Sequence, residues 1–166
     1  MNNDIIKLSK ISKKFEENNN ITVLKNINLR IKKGDLVSLT GPSGSGKSTL
    51  LHIIALLDTP SSGEVYFKNR NFSKSNDIEK DLIRKKGISI IYQYHNLLSD
   101  FTALENVMMP LLNIGYSWNE SSNRAQKTLS LVNLSKRYDH FPSELSGGEQ
   151  QRVAVARAII TEPDLI

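Results

Sequence analysis

Two stretches near the start, Ile5 to Ile11 and Ile21 to Ile31, carry alternating or clustered β-forming residues. The polar run Glu16-Glu17-Asn18-Asn19-Asn20 between them predicts a loop joining antiparallel strands. Lys32-Lys33-Gly34-Asp35 predicts a turn, and Leu36-Val37-Ser38-Leu39-Thr40 a short strand apolar enough to be buried on both faces. A glycine-rich loop from Gly41 to Gly46 runs into a largely buried helix, Lys47 to Leu57, which Asp58-Thr59-Pro60-Ser61-Ser62-Gly63 breaks. Glu64 to Lys68 predicts a further strand. Asn76 to Lys86 predicts a helix with Asn76 as N-cap and Glu79 placed to complete the cap, and Ile88 to Tyr92 a second buried strand.

Helical signals dominate beyond that point. Thr102 with Glu105, and Ser117 with Glu120, have the spacing of capping boxes before apolar periodicity, so residues 96–145 are expected to be mostly helical. Ser146 with Glu149 opens another helix, which runs through Ile160 and is ended by Pro163. This order of strand, loop, helix and strand predicts an α/β layered fold with an early antiparallel flank and a late helical insertion.

Composition narrows the possibilities. A length of 166 residues suits one domain, since domains usually run to about 100–200 residues. With 39% hydrophobic and 23% charged residues, the chain is neither disordered nor fibrous in character. Lys and Arg outnumber Asp and Glu by 22 to 17, and the resulting charge of +5 suits a nucleic acid, an anionic membrane surface or a phosphorylated ligand without choosing among them. The absence of cysteine excludes disulfides, thiol catalysis and cysteine-based metal sites, and His52, His95 and His140 lack metal-ligand spacing. The longest apolar stretch, Leu50 to Leu57, is interrupted by His52 and is far short of the ~20 residues that cross a bilayer. Met1-Asn2-Asn3-Asp4 carries no basic or apolar leader, so the chain is expected in the cytosol with any membrane contact peripheral.

The chemistry concentrates in Gly41-Pro42-Ser43-Gly44-Ser45-Gly46-Lys47-Ser48, which fits G-x-x-x-x-G-K-[ST] between an apolar strand and an apolar helix. The glycines let the backbone turn its N–H groups around phosphate oxygens. Lys47 is placed to reach the β- and γ-phosphates, Ser48 to ligate Mg²⁺, and the helix N-terminus, with Thr49, adds its positive dipole end. Such a loop alone leaves ATPases, GTPases and small-molecule kinases open. No Asn-Lys pair is present, so the Asn-Lys-x-Asp element of the usual GTPases is lacking.

Leu145-Ser146-Gly147-Gly148-Glu149, followed by Gln150-Gln151-Arg152-Val153-Ala154-Val155-Ala156-Arg157-Ala158, resembles the signature of ATP-binding-cassette (ABC) ATPases. Adjacent glycines at a helix N-terminus leave backbone N–H groups unshielded, and Ser146 adds a hydroxyl, a combination able to hold a γ-phosphate. Gln93 and Phe15 match the family in order and spacing, as the glutamine that contacts Mg²⁺ and the attacking water and as the aromatic residue that stacks on adenine. Leu56 to Val65 and Asn96 to Val107 look like the branch containing the lipoprotein-releasing ATPase, macrolide and peptide exporters and a cell-division relative.

The resemblance implies a phosphate-loop NTPase core with an antiparallel β flank and a helical subdomain, residues 96–145, within one nucleotide-binding domain spanning 1–166. It implies an ATP-binding subunit that uses ATP and Mg²⁺, with Lys47 and Gln93 catalytic and Ser48 and Gln93 on the metal. Two such subunits would form a dimer in which the phosphate loop of one faces Leu145 to Glu149 of the other. Closure would drive integral membrane permease subunits at the cytoplasmic face of a bacterial inner membrane, with lipoproteins as cargo and no nucleic acid involved. Macrolide or peptide export, a cell-division role, a non-hydrolysing remnant, and a soluble ABC protein of repair or translation are the alternatives. One departure bears on activity. In the family, an apolar strand ending in a Mg²⁺-binding Asp and a water-polarising Glu follows the signature helix, and Glu162 to Ile166 looks like its approach. Asp164 precedes the apolar run and does not substitute for these acids. The C-terminal strands are therefore expected to be missing, and the 166-residue chain alone to hydrolyse no ATP.

Overall fold

The period-two pattern of the N-terminal segment produces two long strands, β1 (Asp4–Phe15) and β2 (Ile21–Lys32), paired antiparallel from Asp4 opposite Lys32 to Phe15 opposite Ile21. The computed structural model describes residues 3–15 and 21–166, so the loop expected at residues 16–20 lies outside the described residues. The chain divides into two compact units, Met1–Arg84 and Lys85–Ile166.

In the first unit, β3 (Ser62–Phe67) pairs with the other edge of β1, and β4 (Arg70–Asn71) pairs with β3, giving a four-stranded antiparallel sheet in the order β2-β1-β3-β4. Ile6 and Leu8 on β1 are buried, and so is Ile11, although it differs from them in parity. A register shift lies between Leu8 and Ile11, with Lys10 at φ 52°. Side chains take backbone groups there: Lys10 N donates to Asn28 Oδ1 (2.9 Å) and Asn26 N to Ser12 Oγ (3.0 Å). β4 has no counterpart in the sequence reading. Lys68 and Asn69 form its two-residue turn at φ 46° and 65°, a conformation usually signalled by glycine.

Helix α1 (Lys47–Ile54) stops earlier than its apolar run, which extends to Leu57. Leu56 takes φ 58°, its N–H donates to Ile53 O (3.1 Å) and Leu57 N to His52 O (2.9 Å), the paired bonds of a Schellman end. Leu56 is buried, so packing holds a non-glycine residue in the left-handed region. Helix α2 (Asp77–Lys86) begins as expected, with Glu79 N donating to Asn76 Oδ1 at 2.9 Å.

The second unit is a helical cluster of α3 (Ala103–Asn113), α4 (Trp118–Leu131) and α5 (Gly147–Ile159), with a 3-10 turn at Pro142–Glu144. Val107, Met108 and Leu111 of α3, Ala125 and Leu129 of α4, and Val153 and Ala156 of α5 share one apolar core. The expected caps are present: Thr102 and Glu105 form a full capping box, and Ser117 accepts from Glu120 N. Asn106 is fully buried, and its side-chain amide donates to the carbonyls of Leu98, Phe101 and Thr102 while accepting from Leu98 N. Within the Asn96-to-Val107 stretch that carries the branch resemblance, Thr102 thus caps α3 and Asn106 pins the loop before it.

Two expected strands are corrected. Leu36–Thr40 forms no ladder with any described residue, and Leu36, Val37 and Leu39 are 102%, 50% and 41% exposed. Ile88–Tyr92 forms only one parallel bridge, Ile88 to Leu165, extended by Ser89 N to Leu165 O (2.9 Å). Ile88 is buried, but Ile91 and Tyr92 are exposed. The reason is physical: apolar content fits a segment for a sheet interior, but a strand exists only where a neighbour takes its N–H and C=O groups. Leu165 beside Ile88 is the strand-like approach expected of Glu162–Ile166.

Candidate functional site

The glycine-rich loop ends in Gly46, which is the N-cap of α1 at φ 88°. A Cβ there would lie 2.9 Å from Val23 Cγ1 and 3.0 Å from Leu24 Cδ2 and Val23 O, so β2 presses directly under the turn and only glycine fits. No side chain caps α1, and its first turn holds no acidic residue. The contrast with α3, α4 and α5 is informative, since each of those starts with a Ser or Thr cap and a Glu in the first turn. The N–H groups and positive dipole end of α1 therefore meet no capping side chain or acidic residue, an arrangement that can receive an anion.

Lys47 folds over this loop and donates from Nζ to Gly41 O (2.9 Å) and Pro42 O (2.7 Å), which fixes its ammonium beside the open N–H groups. Ser43, Gly44, Ser45 and Ser48 are exposed and Thr49 half-buried, and Ser45 N donates to Pro42 O at 3.3 Å. The structure thus gathers Gly41 to Thr49 into one anion-receptive turn. Phe15, the last residue of β1, is 41% exposed, with Lys13 Nζ 5.2 Å from its ring centroid. Lys13 is held in turn by Asp58 Oδ1 at 2.6 Å.

In the second unit, Ser146 caps α5 in a reciprocal box. Glu149 N donates to Ser146 Oγ (3.3 Å), while Glu149 Oε2 accepts from Ser146 N (2.9 Å) and Ser146 Oγ (2.8 Å). Gly147 and Gly148 lie in the first turn. A Cβ on Gly147 would meet nothing within 4 Å, and one on Gly148 only Arg152 Nη1 at 3.7 Å. Neither glycine is demanded by packing, so the space above them is available to a ligand. Leu145 is buried behind the turn. Gln93 sits in an exposed bend after Ile88–Tyr92.

Two arginines that the sequence reading did not single out organise this unit. Arg137 Nε donates to Glu149 Oε1 at 2.8 Å. This bond, followed by those from Ser146 N and Oγ, lowers the Glu149 carboxyl from an ordinary 4.5 to about 2. Arg157, near the end of α5, donates to His95 O (2.8 Å) and Asn96 O (2.9 Å) and so ties the loop after Gln93 to the signature helix. Burial lowers the pKa of its guanidinium. Arg157 stood inside the signature run, but nothing in the sequence marked Arg137, which acts from a separate loop.

A family model described as "ABC transporter" matches residues 24–166. The chain belongs to the ABC transporter family. Among curated proteins it is 50% identical over 163 residues to the lipoprotein-releasing system ATP-binding protein LolD of Ehrlichia ruminantium (strain Gardel), covering 98% of this chain and 72% of that one. The protein of the same description from Saccharophagus degradans is 45% identical over 164 residues, with the same coverage. A solved dimeric ATP-binding cassette in a post-hydrolysis state, bound to ADP and Pi, superposes with a TM-score of 0.88 at 44% identity, covering 95% of this chain and 70% of that chain. The fold is accordingly that of an ABC ATPase cassette, with its antiparallel flank and helical cluster. Members of this family bind ATP and couple its hydrolysis to transport. Among the described residues, no helix is long and apolar enough to cross a membrane.

Proposed function

We propose that this chain is the ATP-binding subunit of a transporter that releases lipoproteins from a bacterial inner membrane. The relatives described above, at 45% to 50% identity over nearly the whole chain, support that cargo. In this reading residues 1–166 belong to one nucleotide-binding domain, with residues 96–145 as its helical subdomain. The subunit works peripherally at the cytoplasmic face, docked on integral membrane permease subunits.

Each step rests on groups described above. The N–H groups of Gly41 to Thr49 and the Lys47 ammonium bind the phosphates of ATP, and the Phe15 ring stacks on adenine. Ser48 Oγ would hold Mg²⁺, which when bound would neutralise charge on phosphate oxygens, and Gln93 keeps the role that the family resemblance implies. The exposed Ser48 hydroxyl suits an ion already carrying phosphate oxygens. The described residues contain no group of three or more His, Asp or Glu side chains that could hold the metal by themselves. Ser146, Gly147 and Gly148 take the γ-phosphate of the partner subunit's nucleotide, so that two ATP molecules are sandwiched in a dimer. The solved cassette named above is likewise dimeric.

The single observation that carries the sandwich is the open first turn of α5, where neither glycine serves packing. Two variants test it. Lys47→Ala removes a charge-assisted contact and is expected to weaken binding of an ATP analogue about tenfold or more in titration calorimetry. Ser146→Arg is expected to keep that binding and to abolish ATP-dependent dimerisation in sedimentation equilibrium. Loss of monomer binding with the fold intact in Ser146→Arg would overturn the two-subunit arrangement.

A further inference from the structure

The first turn of α5 presents an electrostatic conflict. A carboxylate at Glu149 suits a helix N-terminus as a cap, and a glutamine could make the same hydrogen bonds without charge. The reading above requires that turn to receive a γ-phosphate as well. An unneutralised carboxylate beside the seat of a highly charged anion would repel it, and like charges brought together at an interface oppose association.

The structure supplies a cation at that point. Glu149 uses one oxygen, Oε2, on Ser146 N and Oγ, and offers the other, Oε1, to Arg137 Nε at 2.8 Å. Only 17% of the Glu149 side chain is exposed, against 42% of Arg137, so the carboxylate is the more covered partner of the pair. The arginine is delivered by the turn after α4, where Arg137 N donates to Leu134 O (3.0 Å) and His140 N to Arg137 O (3.2 Å). The lowered carboxyl pKa, caused first by Arg137, agrees with a carboxylate ionised and paired at neutral pH.

We propose that Arg137 is a positioning residue for the signature turn: it neutralises Glu149 and holds the carboxylate back on the Ser146 cap, so that the α5 N-terminus can accept the partner subunit's γ-phosphate. This rests on the dimeric reading of the preceding subsection. The guanidinium acts through Glu149, and its value depends on the charge of that residue. A structural tether would lack this dependence. The Arg137-Glu149 pair thereby lets the chain carry an acidic residue at the mouth of an anion site.

A double-mutant cycle that removes each charge separates these roles. The purified protein and its Arg137→Met, Arg137→Lys, Glu149→Gln and Arg137→Met/Glu149→Gln variants are compared by sedimentation equilibrium with a non-hydrolysable ATP analogue. Ser146→Arg serves as the marker of signature function. At the short range and intermediate dielectric of such a site, an unpaired carboxylate is expected to weaken dimerisation about tenfold per turn, roughly a hundredfold for a dimer with two of them. Arg137→Met should show this loss. Glu149→Gln should dimerise at least as tightly as the parent, and the double variant should return to within about threefold of Glu149→Gln. A double variant as weak as Arg137→Met, or an Arg137→Met protein that dimerises like the parent, overturns the proposal. If Arg137→Met does not fold, Arg137→Lys and the double variant decide: both should dimerise within about threefold of the parent, and a tenfold loss in either overturns it. Parent-like dimerisation of Ser146→Arg would instead locate the failure in the signature reading itself.

Discussion

Replacing Gly147 or Gly148 by alanine should separate stability from function in opposite directions. A methyl on Gly147 meets no atom within 4 Å, and one on Gly148 meets only the far end of the Arg152 side chain at 3.7 Å. Both residues lie in the first turn of α5, and neither is among the positive-φ glycines. Alanine there restricts the unfolded chain without straining the native one, which is worth about 0.4–1 kcal/mol and a rise in melting temperature of roughly 1–4 °C. In the proposed sandwich the same methyl stands where a phosphate oxygen approaches an N–H to about 2.9 Å, so ATP-driven dimerisation should fall by about tenfold or more. Gly46→Ala gives the contrast. With φ at 88° and Val23 Cγ1 only 2.9 Å from the new Cβ, it combines a left-handed penalty of about 1–2 kcal/mol with steric overlap, so stability should fall. Thermal melts without nucleotide, and sedimentation equilibrium with an ATP analogue, measure the two quantities. A melting temperature in Gly147→Ala depressed as far as in Gly46→Ala would refute the geometry. Parent-like dimerisation of the Gly147→Ala/Gly148→Ala protein would refute the claim that the turn is reserved for a ligand.

The Glu149 carboxyl, lowered to about 2 chiefly by Arg137, is depressed relative to the unfolded chain, so its contribution to α5 is complete above about pH 4.5 and is lost as the pH falls toward 2. Carbon-detected NMR titration of that carboxyl should therefore find it ionised at pH 4 in the parent and shifted upward in Arg137→Met; an ordinary carboxylate titration in both would contradict the ion pair. Asn106→Leu keeps the volume of a fully buried side chain but strips partners from Leu98 N and from the carbonyls of Leu98 and Phe101, and should destabilise the helical unit by roughly 2–4 kcal/mol in urea titration, with Asn106→Ala no better.

What the sequence determined by itself was local. The β1 and β2 pairing follows from alternation, and the caps at Asn76, Thr102, Ser117 and Ser146 follow from hydroxyl or amide side chains beside helix N–H groups they can reach within a few residues. The glycine-rich turn was legible for the same reason, because glycine, lysine and serine from Gly41 to Ser48 act on one stretch of backbone. Partners distant in sequence decided the rest. Leu36–Thr40 and Ile91–Tyr92 have the composition of buried strands but no ladder among the described residues, and a strand's hydrogen bonds belong to its neighbour, not to itself. The end of α1 at Leu56 was set by burial of a leucine in a conformation that its type disfavours. Arg137 reaches Glu149, and Arg157 reaches His95 and Asn96, only after folding brings a loop to a helix, so no spacing along the chain announced either contact. Short-range chemistry is written in residue order, whereas charge compensation and sheet membership depend on which surfaces tertiary packing brings together.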